Sequence, residues 1–495
     1  MIQDVFERVA ATHADRIAVT DGDEKLRYDE LFLRKERLRA YFSRELSLNR
    51  KDTIALFLPN CIDFVCAFFA AADIGAVAVP LNIHLKEKEL QHYMTQCGIA
   101  AVITHGYLMS HWGEIPLQNK QVKFVQADQL AIPPFSLGSG WTPEQERRSA
   151  HPVTLDTEVL YLSTSGSTGR PKIIPKTHSI LIAGAENLGR ALAITSRDTF
   201  LSVAPFFHAN GFENCMLLPL LRGASCVLMR QFHPRNLLEI LEKGGITVLI
   251  GSPFIFSSLL DVAGQARTIP TLRFCLSTGA PLPPALKKAF FDAFGVTIRQ
   301  AYGSSETGHL SVQGDTRLED TSVGRPLENV RVKIVDDDGQ ELPPGRTGEI
   351  LIRSNSMING YLNEPDLNQE SFTGGFFRTG DLGRIDQDGN IHISGRKKWL
   401  INAAGVKIDP VEIRNVLLAC PKVKDAFVTG VKSKRGLEMV KALVVAQPGC
   451  RVNDIIAFCR ERLADYKIPR VIEFRDSLPS DIMGKVFESQ INDET

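Results

Sequence analysis

Residues 161–176 read Tyr161-Leu-Ser-Thr-Ser-Gly-Ser-Thr-Gly-Arg-Pro-Lys-Ile-Ile-Pro-Lys176. Ser163, Thr164, Ser165, Ser167 and Thr168 offer hydroxyls, Gly166 and Gly169 free the backbone to bend, and Lys172 adds a positive charge. Glycines let successive main-chain N–H groups turn inward together, and such a nest, ringed by hydroxyls and a lysine, suits a polyphosphate. The spacing is not that of a Walker A loop, because Arg170 and Pro171 stand between the second glycine and the lysine. A plain surface loop can have the same composition, so the flanks decide. Glu158-Val-Leu-Tyr-Leu162 reads as a buried strand and a helical pattern starts near Ser179. That predicts strand, glycine loop and helix, the order in which phosphates usually sit.

Working outward, short apolar runs at 53–58, 76–81 and 100–104 precede the loop, and others at 199–203, 224–228, 247–250, 273–277 and 297–301 follow it. Helical periodicities separate them. This alternation predicts an α/β fold, a large N-terminal domain of doubly wound, mixed sheets. After about residue 323 short β runs (330–335, 349–354, 383–385, 391–394) with Asp-Gly turns predict a small antiparallel β-barrel. From Gly395 the pattern is helix, strand, strand, helix, strand, a compact α+β unit. The expected domains are therefore 1–394 and 395–495. Residues 110–155 show no clear period and read as surface loops.

A chain of 495 residues exceeds what one hydrophobic core organises, which agrees with two domains. Lys plus Arg equals Asp plus Glu at 57 each, so no basic excess points to nucleic acid or an anionic membrane. Nine scattered cysteines, an odd count without C-x-x-C spacing, fit reduced thiols in a cytoplasmic protein and neither a disulfide frame nor a zinc site. No signal peptide is read at the N-terminus. The longest apolar run, 64–80, is broken by Asp73 and Gly75 and is too short to span a bilayer, so no membrane insertion is expected.

Four further stretches complete a pattern: Tyr302-Gly-Ser-Ser-Glu306, Arg378-Thr-Gly-Asp381, Gly395-Arg-Lys-Lys398 with Gly405-Val-Lys407, and Leu478-Pro-Ser-Asp-Ile-Met-Gly-Lys485. With these in order the chain resembles, end to end, the acyl-adenylate-forming superfamily. That group holds acyl- and aryl-CoA synthetases, adenylation domains of nonribosomal peptide synthetases and beetle luciferases. The resemblance implies an enzyme with a two-step reaction: a carboxylate attacks the α-phosphate of ATP to give acyl-AMP and pyrophosphate, then a thiol takes the acyl group and releases AMP.

Carried over position by position, the resemblance implies these roles. Thr164, Ser165, Gly166, Ser167, Thr168, Gly169 and Lys172 hold the β- and γ-phosphates. Glu306 coordinates Mg²⁺, a hard cation that takes oxygen ligands, and Ser305 touches phosphate beside Gly303 and Ser304. Tyr302 packs on adenine, next to Gly279 and Ala280. Asp381 accepts from the ribose hydroxyls, and Arg396 adds a ribose or phosphate contact. Lys485 is the main catalytic cation, bridging carboxylate and α-phosphate. His208 matches a histidine beside the acyl pocket and is assigned to positioning, because a carboxylate needs no deprotonation at neutral pH. Family members rotate a small mobile C-terminal domain between steps; Lys398 matches the hinge and Gly405 the segment that then meets the thiol. The chain departs from the family in having Ile173 where glycine usually follows the lysine, and in a longer, less basic segment before Lys485.

Each residue has a plainer reading: Glu306 as a helix cap, Asp381 as a turn residue, Lys485 and the Lys397-Lys398 pair as solvated lysines, His208 as structural. Lys176 and His178 are expected at the surface or a helix start. The acid pocket is expected to include Phe207, His208, Asn210, Asn214, Thr278 and Gly279. Amino-acid-activating relatives place an Asp here, and this chain has none, although Glu213 keeps an ammonium partner open. Two asparagines in an apolar wall favour an aryl or short to medium acyl acid with a polar substituent. Lys432, Lys434, Arg435 and Lys441 make the C-terminal unit locally basic, which suits coenzyme A phosphates or an acidic carrier protein. Coenzyme A is the expected acceptor; a carrier-protein phosphopantetheine, loaded by a stand-alone adenylation enzyme, is the alternative. A luciferase-like monooxygenase and a nucleotide-binding protein without turnover are the remaining rivals.

Overall fold

A computed structural model describes residues 1–85, 87–112, 122–129, 153–164, 171–264, 266–314, 317–397, 401–403, 406–408, 410–432, 438–463 and 467–478. Of the expected site residues, Ser165, Gly166, Ser167, Thr168, Gly169, Lys398, Gly405 and Lys485 lie outside the described residues, as do Lys434 and Arg435.

The first sheet has six strands in the order Lys123–Gln126, Ile99–Thr104, Thr53–Phe57, Val77–Pro80, Glu158–Thr164 and Lys172–Thr177. All pair in parallel except the last two. The second has nine: Arg325–Pro326, Gly308–Val312, Ile298–Ser304, Phe274–Ser277, Val248–Gly251, Thr199–Ser202, Ser225–Leu228, Ile17–Asp21 and Glu24–Arg27. Its middle is parallel and its two ends antiparallel. The central strands are apolar on both sides because both faces are covered. In Val248–Gly251, Val248 and Ile250 join the main core while Leu249 faces a separate one under the helices Pro234–Lys243, Pro253–Ala263 and Pro284–Phe294. The helix Ile62–Asp73 is buried almost all round, as its sequence Ile-Asp-Phe-Val-Cys-Ala-Phe-Phe-Ala-Ala-Ala-Asp requires. Its Phe68 meets Phe212 edge-on at 4.7 Å, fastening the first half of the chain to the second.

A five-stranded antiparallel sheet follows, built from Val330–Val335, Gly348–Ser354, Phe372–Thr373, Phe376–Ile385 and Ile391–Arg396. Its last strand runs two residues past the expected domain boundary. In the C-terminal unit a two-stranded hairpin, Ile401–Ala403 with Val406–Ile408, precedes the expected order of Pro410–Leu418, Val423–Lys432, Glu438–Ala446, Val452–Arg460 and Val471–Phe474, around a core of its own. The nine cysteines are free, and among the described residues no helix is long and apolar enough to cross a membrane.

Three local expectations need correction. The phosphate loop does not lead straight into a helix: Lys172 opens the strand Lys172–Thr177, which returns antiparallel to Glu158–Thr164 with Lys172 opposite Thr164, and only then does the helix His178–Ala191 begin. Thr177 caps that helix by accepting from the Ile180 N–H at 3.3 Å. Residues 110–155 are not all loop, since Lys123–Gln126 adds an edge strand. Lys176 and His178, expected at the surface or a helix start, are both 0 % exposed; His178 does open the helix, and Lys176 lies in the strand before it.

Candidate active site

Parallel strands put their carboxyl ends on one edge of a sheet, and ligands in open α/β folds bind there. In the second sheet four neighbouring strands end side by side at Ser304, Ser277, Gly251 and Ser202. The segments that leave this edge are Tyr302–Glu306, Thr278–Ala280, the Ser252 turn and Phe206–Asn214, which are the stretches singled out for nucleotide and acid.

The strand Ile298–Ser304 folds back at once onto Gly308–Val312, with Ser304 opposite Gly308. The backbones come so close that a Cβ on Gly303 would lie 2.3 Å from the Gly308 carbonyl oxygen, so only glycine fits. The turn is pinned by the Ser304 N–H donating to Thr307 Oγ1 at 3.2 Å and by Ser356 Oγ donating to the Thr307 carbonyl at 2.8 Å. Glu306 stands at its tip, half-buried, with Oε1 accepting from the Tyr361 hydroxyl at 2.9 Å. Burial, then the Glu306 charge, pushes the Tyr361 phenol well up, so it stays a donor. Lys172 Nζ lies 5.2 Å from the centre of the Tyr361 ring. Nothing in the sequence marks Tyr361; its partners are set by the fold. The Ser304 and Thr307 hydroxyls are spent on each other at 3.1 Å, which leaves the half-buried Glu306 carboxylate as the turn's oxygen donor, a type of ligand that fits a hard cation such as Mg²⁺.

Asp381 and Arg396 come from the five-stranded sheet, as directly opposed residues of neighbouring strands. Asp381 is buried, accepts from Arg396 Nε at 2.8 Å and accepts from the Tyr302 hydroxyl at 2.5 Å. The Tyr302 phenol is driven far up, first by burial and then by the Asp381 charge. Burial opposes the Arg396 charge, yet Asp381, Tyr302 and Glu306 together hold its pKa above the ordinary value. One arginine thus feels both the Glu306 turn and the Asp381 strand, and Tyr302 bridges the two sheets.

On the acid side, Asn60 fixes the loop. Its Nδ2 donates to the Ala204 carbonyl at 2.9 Å, and its Oδ1 accepts from the Phe206 N–H at 2.9 Å. Sequence reasoning missed Asn60. The loop continues as a π-helix, Asn210–Leu217, a form often found at functional sites. It packs so closely that a Cβ on Gly211 would lie 2.1 Å from the Pro205 carbonyl oxygen. Phe207 and His208 are half-buried with ring centres 4.4 Å apart. Asn214 Nδ2 donates to Asn210 Oδ1 at 3.0 Å, while Asn210 Nδ2 is buried without a hydrogen-bond partner. Thr278 is held by its N–H on the Gly251 carbonyl at 3.0 Å, next to the exposed Gly279 and Ala280.

Two charges are not where the sequence put them. Glu213 pairs with the buried Lys176 at 3.3 Å, so its charge is already matched. Lys441, expected on a basic surface, is 4 % exposed and pairs with Glu473 at 3.0 Å. Elsewhere, among the described residues, Cys61, Asp63 and His105 bring ligand-type atoms within 4.8 Å of one another. The Asp63 carboxylate there is already engaged by Arg34 at 2.7 Å and His105 at 3.0 Å, so the group is a hydrogen-bonded cluster.

Comparison with known proteins gives the following. The family model described as AMP-binding enzyme matches residues 6–362, and the AMP-binding enzyme C-terminal domain matches residues 412–485. A feruloyl-CoA synthase of Amycolatopsis sp. is 32% identical over 481 residues, covering 96% of this chain and 95% of its own. An oxalate–CoA ligase of Arabidopsis thaliana is 30% identical over 502 residues, covering 97% and 96%. The structure of o-succinylbenzoate coenzyme A synthetase (MenE) from Bacillus subtilis in complex with ATP and magnesium ion superposes with a TM-score of 0.85, at 26% identity and 98% coverage of both chains.

Proposed function

The chain belongs to the AMP-binding enzyme family and is an ATP-dependent, AMP-forming acid–CoA ligase, and from that premise we propose how its residues divide the work. In the first step a carboxylate oxygen attacks the α-phosphorus, forming the acyl–phosphate bond and expelling pyrophosphate. In the second the coenzyme A sulfur attacks the acyl carbon, forming the thioester and expelling AMP. The observation that carries the reading is the meeting of Tyr302, Asp381 and Arg396, remote in sequence, beside the Glu306 turn.

Asp381 holds the ribose hydroxyls: a carboxylate has about four lone-pair sites, and Tyr302 and Arg396 use one on each oxygen. Tyr302 and the Thr278, Gly279 and Ala280 turn frame the adenine. Thr164 and Lys172, with Ser165, Gly166, Ser167, Thr168 and Gly169 between them, cradle the β- and γ-phosphates, assisted by Gly303, Ser304 and Ser305. Glu306 would hold Mg²⁺, which when bound neutralises phosphate charge. Lys485 places its ammonium between carboxylate and α-phosphate as negative charge builds there. Lys398 is the hinge between domains 1–394 and 395–495, and Gly405 belongs to the surface presented to the thiol.

For the acid, Phe207, His208, Asn210, Asn214 and Thr278 form the wall. A buried donor without a partner costs about 1–3 kcal/mol, and Asn210 Nδ2 is one. An aryl or short to medium acid carrying a polar acceptor would satisfy it. Two relatives, the feruloyl-CoA synthase and the oxalate–CoA ligase, are named for acids in this range. Because Lys176 already matches Glu213, an amino acid's ammonium has no counter-ion there. We place the reaction in the cytoplasm, with free coenzyme A as acceptor in preference to a carrier protein. The test is ATP–pyrophosphate exchange over aryl, short and medium acids, followed by coenzyme A and detection of the thioester. Exchange that no acid stimulates would refute the reading.

A further inference from the structure

Residues 356–362 form a strap between two parts of the nucleotide site that belong to different sheets. At one end the Ser356 hydroxyl donates to the Thr307 carbonyl at 2.8 Å and the Ile358 N–H donates to the Glu306 carbonyl at 2.9 Å. At the other the Leu362 N–H donates to the Ile173 carbonyl at 3.0 Å, next to Lys172. Tyr361 is clamped between them: its N–H donates to Asn368 Oδ1 at 2.7 Å, and Asn368 Nδ2 donates back to the Tyr361 carbonyl at 2.9 Å. With the backbone fixed on both sides and the residue 7 % exposed, the hydroxyl reaches Glu306 Oε1 at 2.9 Å. The face of the same ring lies 5.2 Å from Lys172 Nζ, within cation–π range.

We propose that Tyr361 is a positioning residue that aims the Glu306 carboxylate, which would hold Mg²⁺, and, through its ring, rests the Lys172 ammonium beside the same phosphate site. Glu306 alone sits at the tip of a two-strand turn and can swing through several rotamers. A hydrogen bond from a rigid donor to one carboxylate oxygen removes that freedom and leaves the other oxygen for the cation, as hydrogen-bonded partners do for ligating carboxylates generally. Among the described residues Oε2 of Glu306 has no hydrogen-bond partner. The ring adds a weak resting place for Lys172, which ATP phosphates outcompete because a charged partner exceeds a quadrupole. The proposal rests on the assignment of Glu306 to Mg²⁺, so the experiment must separate the two.

ATP binding without acid, and AMP binding, are measured by calorimetry with Mg²⁺ present for wild type, Tyr361→Phe, Glu306→Gln and the double variant; no turnover is involved. The phenylalanine removes only the hydroxyl. The expected result is a roughly tenfold weaker Mg·ATP affinity in Tyr361→Phe, unchanged AMP affinity, an unchanged melting temperature, and a double variant no weaker than Glu306→Gln alone. If Glu306→Gln weakens Mg·ATP and Tyr361→Phe does not, Tyr361 has no positioning role and the assignment of Glu306 stands. If Tyr361→Phe weakens AMP equally or lowers the melting temperature in step, the residue is merely structural and the proposal fails. If Glu306→Gln itself leaves Mg·ATP binding unchanged, the assignment of Glu306 falls, and the proposal with it.

Discussion

Asp381 and Arg396 face each other across neighbouring antiparallel strands, and Arg396 Nε donates to Asp381 Oδ1 at 2.8 Å. The pairing is a matter of register: a slip of one residue would turn one of the two side chains to the opposite face. Strand pairing therefore builds the ribose carboxylate and its cation together, and the Tyr302 hydroxyl at 2.5 Å then docks this sheet on the nine-stranded one. Strand register and these two side-chain hydrogen bonds together fix the Asp381 corner of the site.

Replacing Asp381 by Asn should therefore hurt catalysis more than folding. The Arg396 side chain is 46% exposed, so solvent screens that ion pair, and Asn can keep both contacts, its Oδ1 accepting from Arg396 and its Nδ2 donating to the Tyr302 oxygen. An acceptor lost toward ATP costs about 1.5–3 kcal/mol. The expected outcome is a fall in kcat/KM for ATP of roughly tenfold to a hundredfold in pyrophosphate exchange, with a melting temperature close to wild type. A collapse of the melting temperature would show that the carboxylate holds the fold.

Gly303→Ala tests the hairpin that carries Glu306. The added methyl would stand 2.3 Å from the Gly308 carbonyl, and backbone cannot yield as a side-chain tip can. The strands must part, which removes the Ser304 to Thr307 contacts and moves Glu306. A loss of about 1–3 kcal/mol, read in thermal unfolding, should accompany near-complete loss of exchange. Retention of wild-type exchange would mean that the turn tolerates the opening.

The parallel core was readable because strands covered on both faces are continuous apolar runs, as in Val248-Leu-Ile-Gly251. The strand Lys172–Thr177 was not, because Pro175 and two lysines look like linker. It is an edge strand of its sheet, where a missing N–H costs no ladder bond. Tyr302, Glu306, Asp381 and Arg396 were found through motif order. Tyr361, Asn60 and the buried state of Lys176 escaped because their partners, Glu306, Ala204 and Glu213, are remote in sequence and only the fold brings them near.

Lys176 and Glu213 are a buried pair, 0% and 13% exposed in their side chains. Removing one charge strands the other, so Lys176→Met should destabilise by about 3–5 kcal/mol. The double variant Lys176→Met with Glu213→Leu should recover most of that loss, because a well-packed apolar pair often equals a buried ion pair. The check is urea unfolding of both single variants and the double. A double variant as unstable as the sum of the singles would show that the two side chains do not act as a pair.

Lys485→Ala should abolish acid-dependent pyrophosphate exchange and spare thiolysis of supplied acyl-AMP, because its assigned cation acts only while charge builds between carboxylate and α-phosphate. The two half-reactions are assayed separately, the second by thioester formation from synthetic acyl-AMP and coenzyme A. Equal loss in both would remove the assignment.

Acid should destabilise the protein through buried histidines. His178 accepts from the Ile2 N–H at 3.3 Å on Nδ1, and its Nε2 is buried without a partner; burial pulls its pKa down to about 4. His309 is likewise pulled to about 4 by burial. In the unfolded chain both imidazoles titrate near the ordinary value of about 6.5. Between those values the unfolded state binds protons that the folded state refuses, so stability falls as pH drops from about 6.5 to about 4 and is fully present above that window. Each histidine contributes up to roughly 3 kcal/mol. Gln in place of His178 can still accept from the Ile2 N–H and does not titrate. His178→Gln should therefore match wild type in melting temperature at pH 7.5 and lose less of it on acidification to pH 4.5, the difference opening through the window. Parallel melting curves for the two proteins at every pH would show that His178 is not held neutral by the fold.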